Sequence, residues 1–212
     1  MGVPRNNFHP DILAYIENAV AGFDQIPAER KEKLKEIAEF VSSKVRLGER
    51  ADLTYICTHN SRRSHMGQLW AKVAADYFSV DSVQTFSGGT ESTAFNPRAV
   101  AAMRRAGFKI QRQDEAKNPV YDISYGAELP VQQAWSKKYD DAANPSRGFA
   151  AVMTCSHADA NCPIVFGAAE RISIPYEDPK EADNTAYETQ RYDERCLQIA
   201  TEMLYCFSLV KS

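Results

Sequence analysis

Short strand patterns alternating with helical ones from residue 53 onward constrain this chain more than any other feature. Leu53-Thr54-Tyr55-Ile56-Cys57 is β-branched and aromatic, and reads as a strand. A polar stretch, Thr58 to Arg63, follows it. Met66, Leu69, Trp70, Val73, Ala74 and Tyr77 then recur at helical spacing. Val83 to Phe86 reads as a second strand, running into a Ser87-Gly88-Gly89 turn. Pro97 suits the first turn of a helix that Gly107 ends, and Phe108 to Ile110 reads as a short third strand. Phe149 to Cys155 is the clearest buried strand, Arg171 to Ile174 is another, and a last helix runs from about Tyr187 to Val210. Such alternation predicts an α/β fold with a doubly wound parallel sheet.

Two segments lie outside this rhythm. Residues 1–50 read as a helical extension to the α/β domain of residues 51–212. Ile12, Leu13, Tyr15, Ile16, Ala19 and Val20 mark one amphipathic helix. Pro27 opens a charged second helix carrying Leu34, Ile37, Ala38 and Val41, which Gly48 ends. This segment carries no recognisable chemistry and can serve as a cap, a docking hairpin or a dimer element. Residues 112–148 are polar and punctuated by Pro119, Gly126, Pro130, Pro145 and Gly148. They read as a long loop excursion with at most a short helix near Trp135, and loops this long are often lids.

Composition sets limits. A net charge of -3 over 212 residues gives no case for a nucleic-acid or membrane surface. No apolar run is long enough to span a bilayer, and the first ten residues lack an apolar signal core. Five cysteines, an odd number without a disulfide-scaffold spacing, point to reduced thiols in a cytoplasm.

The chemistry concentrates in Cys57-Thr58-His59-Asn60-Ser61-Arg62-Arg63-Ser64, placed between a strand and a helix. A loop entering a helix N-terminus aims backbone N–H groups into one concavity, which suits a tetrahedral oxyanion. Arg63 adds a planar fork of donors. The same positive field favours a Cys57 thiolate, and Ser64 can donate to its sulfur. The plainer reading makes Cys57 a buried strand-end thiol and Arg63 a solvated residue. A nucleotide P-loop is excluded, because its glycine run and lysine are missing.

This loop resembles the active-site loop of low-molecular-weight protein tyrosine phosphatases and of their relatives, the thioredoxin-coupled arsenate reductases. The Ser87-Gly88-Gly89-Thr90 turn and Asn96-Pro97 with its helix resemble the next part of that fold, over about residues 52–210. The resemblance implies catalytic roles for Cys57, Arg63 and Asp178. The last, in Glu177-Asp178-Pro179, would be the general acid. An aspartate before proline is also an ordinary turn residue. There are departures. His59 stands where the families have glycine, so either it takes up a positive φ or its imidazole acts. Arg62 replaces a frequent second cysteine, and Gln68 replaces a glutamate that helps some reductases bind potassium. Lys180 and Glu181 replace the tyrosines that flank an aromatic substrate in mammalian-type phosphatases.

Thr154-Cys155-Ser156-His157-Ala158-Asp159-Ala160-Asn161-Cys162-Pro163 resembles the redox segment of the reductases. The resemblance implies a relay through Cys155 and Cys162, with an external thioredoxin-like thiol as reductant and no bound cofactor. One regular helix over 155–162 would hold the two Cα atoms about 10 Å apart. A disulfide needs roughly 4.4–6.8 Å, so this segment must be looped or must unwind. Two cysteines without a companion pair argue against structural zinc, and no metal is assigned, although His157 and Asp159 lie close by. Cys196 and Cys206 fall on the apolar stripe Tyr192, Cys196, Ile199, Met203, Cys206, Val210 and read as core. The functions compatible with all this are arsenate reduction, phosphomonoester hydrolysis by a tyrosine phosphatase, and a non-enzymatic oxyanion-sensing module. The Cys155/Cys162 pair separates the first from the second.

Overall fold

The strand β1 (Ala51–Cys57) is buried at all seven positions, as befits a parallel strand covered on both faces. The computed structural model describes residues 5–161 and 164–211. In it β1 lies at the centre of a parallel four-stranded sheet with β2 (Val83–Gly89), β6 (Phe149–Met153) and β7 (Ala168–Ser173), in the order β2-β1-β6-β7. The chain leaves β1 towards β2 on one side and later returns to β6 on the other. That order makes the carboxyl end of β1 a topological switch point, where open α/β sheets form their crevices. Cys57 is the last residue of that strand.

Alternation along β1 divides the packing. Leu53 and Tyr55 enter the larger core, whereas Ile56 and Cys57 join a smaller cluster with Phe149, Ala151, Met153, Cys155 and Ala158. The Tyr55 face is covered by α2 (Ala28–Arg46), α3 (Arg63–Tyr77) and α6 (Glu188–Ser208). Gly67 of α3 is set so close to the Tyr55 ring that a Cβ there would lie 2.5 Å from it. The opposite face carries α5 (Ser156–Asn161).

The 50/51 boundary divides the sequence but not the core. Ile12 and Ile16 of α1 (Pro10–Ala21) and Leu34, Ile37 and Val41 of α2 are fully buried in the same cluster as Leu53 and Tyr55. Gly107 follows α4 (Pro97–Arg105) at φ +103°, and a Cβ there would strike the backbone of Asp11 and Ile12 at 2.8 and 2.7 Å. Tyr15 stacks on Trp70 with ring centroids 5.1 Å apart. Arg30 of α2 donates to Glu202 of α6 through Nε and Nη2, at 3.0 and 2.8 Å.

Residues 109–134 correct the sequence reading. The strand expected at Phe108 to Ile110 lies at Lys109–Arg112 (β3) and does not join the main sheet. It pairs antiparallel with β4 (Tyr121–Ser124), which pairs with β5 (Gln132–Ala134). The excursion is therefore partly a sheet, and no helix forms near Trp135. Only one face of β4 is buried, Tyr121 and Ile123 alternating with half-exposed Asp122 and Ser124, so its composition looked like a loop's. The Ser87-Gly88-Gly89 segment is likewise not a turn but the end of β2, with Gly89 opposite Cys57. Among the described residues no helix is long and apolar enough to cross a membrane.

Candidate active site

The Cys57 loop is held from outside by its carbonyls. Cys57 O accepts from Thr90 N, Thr58 O from Glu91 N, and Ser61 O from Asn96 N. His59 O accepts from the hydroxyls of Thr93 and Ser136. The C=O and N–H of one peptide unit point in opposite directions. The amides of Thr58, His59, Asn60 and Arg62 are thereby turned to the inner side of the loop, as an anion cradle requires. Positive φ falls on Asn60 (φ 44°) and not on His59, and asparagine tolerates that region well. His59 keeps a half-exposed imidazole 3.6 Å from Glu91.

Asn60 joins Cys57 to the scaffold. It is fully buried; its Oδ1 accepts from Lys137 N (2.9 Å), and its Nδ2 donates to Ser64 Oγ (2.9 Å). Ser64 Oγ lies 3.1 Å from Cys57 Sγ. Against a thiolate, which has no proton to give, Ser64 is the donor of this pair and stabilises that form. Residues 136–139 complete the support. Gly89 N donates to Lys137 O, Tyr139 N donates to Gly89 O, and Asn118 and Ser136 exchange hydrogen bonds. The excursion thus buttresses the loop from behind. Gly89 has to be glycine, since a Cβ there would meet Glu91 O at 2.2 Å and Asn60 N at 2.7 Å.

Arg63 Nη1 donates to Tyr176 O (2.7 Å), and Nη2 to Asp178 Oδ2 (2.6 Å). Its buried Nε has no partner among the described residues, an unsatisfied donor of the kind a bound oxyanion relieves. Asp178 Oδ1 accepts from Lys180 N, capping a short 3-10 turn that starts at Pro179. Arg62 is turned away from the cradle. Its Nε donates to Tyr192 Oη (2.8 Å), which in turn donates to Asp183 (2.8 Å). Arg98 also reaches this segment, pairing with Glu188 at 2.7 Å and donating to Asn184 at 2.8 Å. The Asp178 loop is thereby pinned across the mouth of the site. The side chain of Ser61 is used structurally, donating to Ala94 O. Gln68 is buried, and its Oε1 has no partner among the described residues.

Cys155 Sγ lies 3.5 Å from Thr58 Oγ1 and accepts from Ala158 N at 3.3 Å. Residues 156–161 form a short helix directly after Cys155. Cys162 itself lies outside the described residues. Asp159 is taken by Arg171 and Ser173, at 2.6 and 2.8 Å. No cluster of three metal-ligating residues occurs among the described residues. Cys196 and Cys206 are fully buried, and burial pushes both thiols up, Cys196 to about 11.

The relatives of the chain agree with this geometry. An arsenate reductase of Bacillus licheniformis is 29% identical over 142 residues, covering 66% of this chain and 83% of that protein. Arsenate reductase 2 of Staphylococcus epidermidis is 30% identical over 125 residues, covering 59% of this chain and 76% of the relative. The chain belongs to the arsenate reductase branch of the low-molecular-weight phosphatase superfamily. A solved structure of a YwlE mutant from Bacillus subtilis shares the superfamily fold, with a TM-score of 0.51 at 13% identity over 74% of this chain and 97% of that one. No protein-family model matches the chain.

Sequence reasoning missed several residues of this superfamily site. Tyr192 reads only as part of the apolar stripe of the last helix, and no motif singles out Asp183. Arg30 stacks on the Tyr176 ring at 4.7 Å, behind the carbonyl that holds Arg63, although it lies in the segment that seemed to carry no chemistry. Lys137 is buried, its amine 4.3 Å over the Trp135 ring, and burial pulls it down to about 8. None of these has a local signal, because each acts on a loop distant in sequence.

Proposed function

We propose that the chain reduces arsenate, with Cys57 as nucleophile, Arg63 and the loop amides as the oxyanion cradle, and Asp178 as general acid. The Cys57 thiolate attacks arsenic, an As–S bond forms, and an oxygen leaves as water with a proton from Asp178. An arriving anion competes with Asp178 for the same guanidinium. Asp178 can then hydrogen-bond the anion only as the protonated acid. Cys155 next attacks Cys57 Sγ. The S–S bond forms, the S–As bond breaks with its electron pair going to arsenic, and arsenite departs. Cys162 attacks Cys155 and frees Cys57, and a thioredoxin-like dithiol reduces the Cys155–Cys162 disulfide. No cofactor takes part.

The observation that carries this reading is the second thiol. Cys155 shares a buried cluster with Cys57 and touches Thr58, the residue after the nucleophile. Ester hydrolysis has no use for it. The test is a thiol count and disulfide peptide map of reduced protein before and after arsenate, with phosphate as control. Loss of two thiols, mapped to Cys155 and Cys162 and dependent on arsenate, is expected. Five free thiols under arsenate would end the reading.

Phosphomonoester hydrolysis is the second reading, favoured by the contact of Asp178 with Arg63, which is complete without Cys155. Steady aryl-phosphate turnover that survives Cys155→Ser and is abolished by Cys57→Ser would support it.

A further inference from the structure

Cys155 is only 1% exposed, so its sulfur has little direct access to bulk water. A thiol attacks as thiolate, and the attack of Cys155 on Cys57 therefore needs a proton route. Among the described residues, two polar groups touch Cys155 Sγ. Ala158 N–H is a donor and cannot take a proton. Thr58 Oγ1, at 3.5 Å, has one proton to give and lone pairs to receive one. The same Oγ1 lies 3.3 Å from Nδ1 of His157, whose side chain is exposed. Cys155, Thr58 and His157 thus form a chain from a buried thiol to a solvent-facing imidazole.

We infer that His157 draws the proton of Cys155 through the Thr58 hydroxyl, making the Cys155 thiolate that attacks Cys57. The inference deepens the reductase reading and rests on it. Cys155 S–H gives its proton to Thr58 Oγ1 as the threonine proton passes to His157 Nδ1. The thiolate attacks Cys57 Sγ, the S–S bond forms, and the S–As bond breaks with its pair on arsenic. The two sulfurs are oxidised to a disulfide as As(V) becomes As(III). The imidazolium then releases its proton to water. Hydrogen bonds in the opposite sense, from His157 Nδ1–H to Thr58 and from Thr58 to the sulfur, stabilise the thiolate once formed. The neighbouring charged groups do not replace the imidazole. Asp159 on α5 is engaged by Arg171 of β7, and Arg63 is engaged by Asp178 and Tyr176. Thr58 is the catalytic residue of this step and His157 a positioning residue acting through it.

The test uses the full chain in a Cys162→Ser background, where the cycle stops at the Cys57–Cys155 disulfide. Disulfide formation after arsenate mixing is followed by rapid quench and mass mapping. His157→Gln and Thr58→Val should slow it by about 10- to 100-fold at pH 7, the lower end of general-base effects, and Thr58→Ser should restore it. Arsenate protection of Cys57 against alkylation should not change in His157→Gln. The slow variants should approach the parent rate at alkaline pH, where hydroxide can take the proton in place of the imidazole, which a merely structural defect would not produce. A parent-like rate for His157→Gln at pH 7 would overturn the relay. If the parent forms no disulfide at all, the reductase reading fails and the relay is then judged separately. In Cys57→Ser protein, Cys155 modification by methyl methanethiosulfonate should be slower at pH 7, but not at pH 10, when His157→Gln is added. Equal rates at both pH values would overturn it.

Discussion

Lys137→Met should make the protein more stable at neutral pH, and less of that gain should remain at alkaline pH. Lys137 is 5% exposed, and burial lowers its amine from 10.5 to about 8. The folded state therefore binds fewer protons than the unfolded chain between about pH 8 and 10.5. Stability rises with pH wherever the unfolded state binds more protons, so the native protein gains stability across that window. Below it the buried charge costs about 3 kcal/mol, from 2.5 pH units at about 1.4 kcal/mol each. At pH 9.5 the same linkage leaves about 1.5 kcal/mol. The amine over the Trp135 ring returns about 1 kcal/mol of cation–π attraction. The net gain for the methionine variant is therefore about 2 kcal/mol at pH 7 and about 1.5 kcal/mol at pH 9.5, where the amine is mostly neutral and there is no cation–π attraction to lose. Urea denaturation of both proteins at the two pH values measures it. The contact with Asn60 is made by the backbone of residue 137, so the site should keep its affinity for oxyanions. A loss of stability at pH 7, or a gain that grows at pH 9.5, would refute the reasoning.

Three further outcomes are expected. Asn60→Ala removes the donor that orients Ser64 and the acceptor for Lys137 N, and should lower kcat by about 10²-fold, in the range for loss of one preorganised polar group. Single-turnover kinetics would check it, and an unchanged rate of Cys57 modification would count against the Asn60–Ser64–Cys57 chain. Gly89→Ala should cost more than about 2 kcal/mol in urea unfolding, and also impair arsenate protection of Cys57, because its Cβ would collide with loop backbone rather than a flexible side chain. Arg30→Met leaves Glu202 buried and without its cation, and should cost about 3 kcal/mol; adding Glu202→Met should recover most of that in thermal unfolding.

The residues that set the local structure could be read from the chain alone. Leu53 to Cys57 is β-branched, aromatic or apolar at every position because both faces of β1 are covered, and helical spacing from Met66 to Tyr77 gave α3. Pro97 and Gly107 marked the ends of α4, and the Cys57 loop was visible as a candidate site because Cys57, Arg63 and Ser64 are close in sequence. Tertiary structure decided whatever depends on elements far apart. β3 to β5 carry apolar residues on one face only, so their polar sequence hid a sheet until Tyr121 and Ile123 were seen in the core. The role of residues 136–139 behind the loop rests on backbone hydrogen bonds to Asn60 and Gly89, which composition does not encode. The partnership of Arg62 with Tyr192, 130 positions away, likewise follows from how α6 packs on α3. Hydrophobic period and chain punctuation are local properties and survive in one dimension. Which polar atom meets which is fixed only when the core closes, since each buried donor must then find its acceptor.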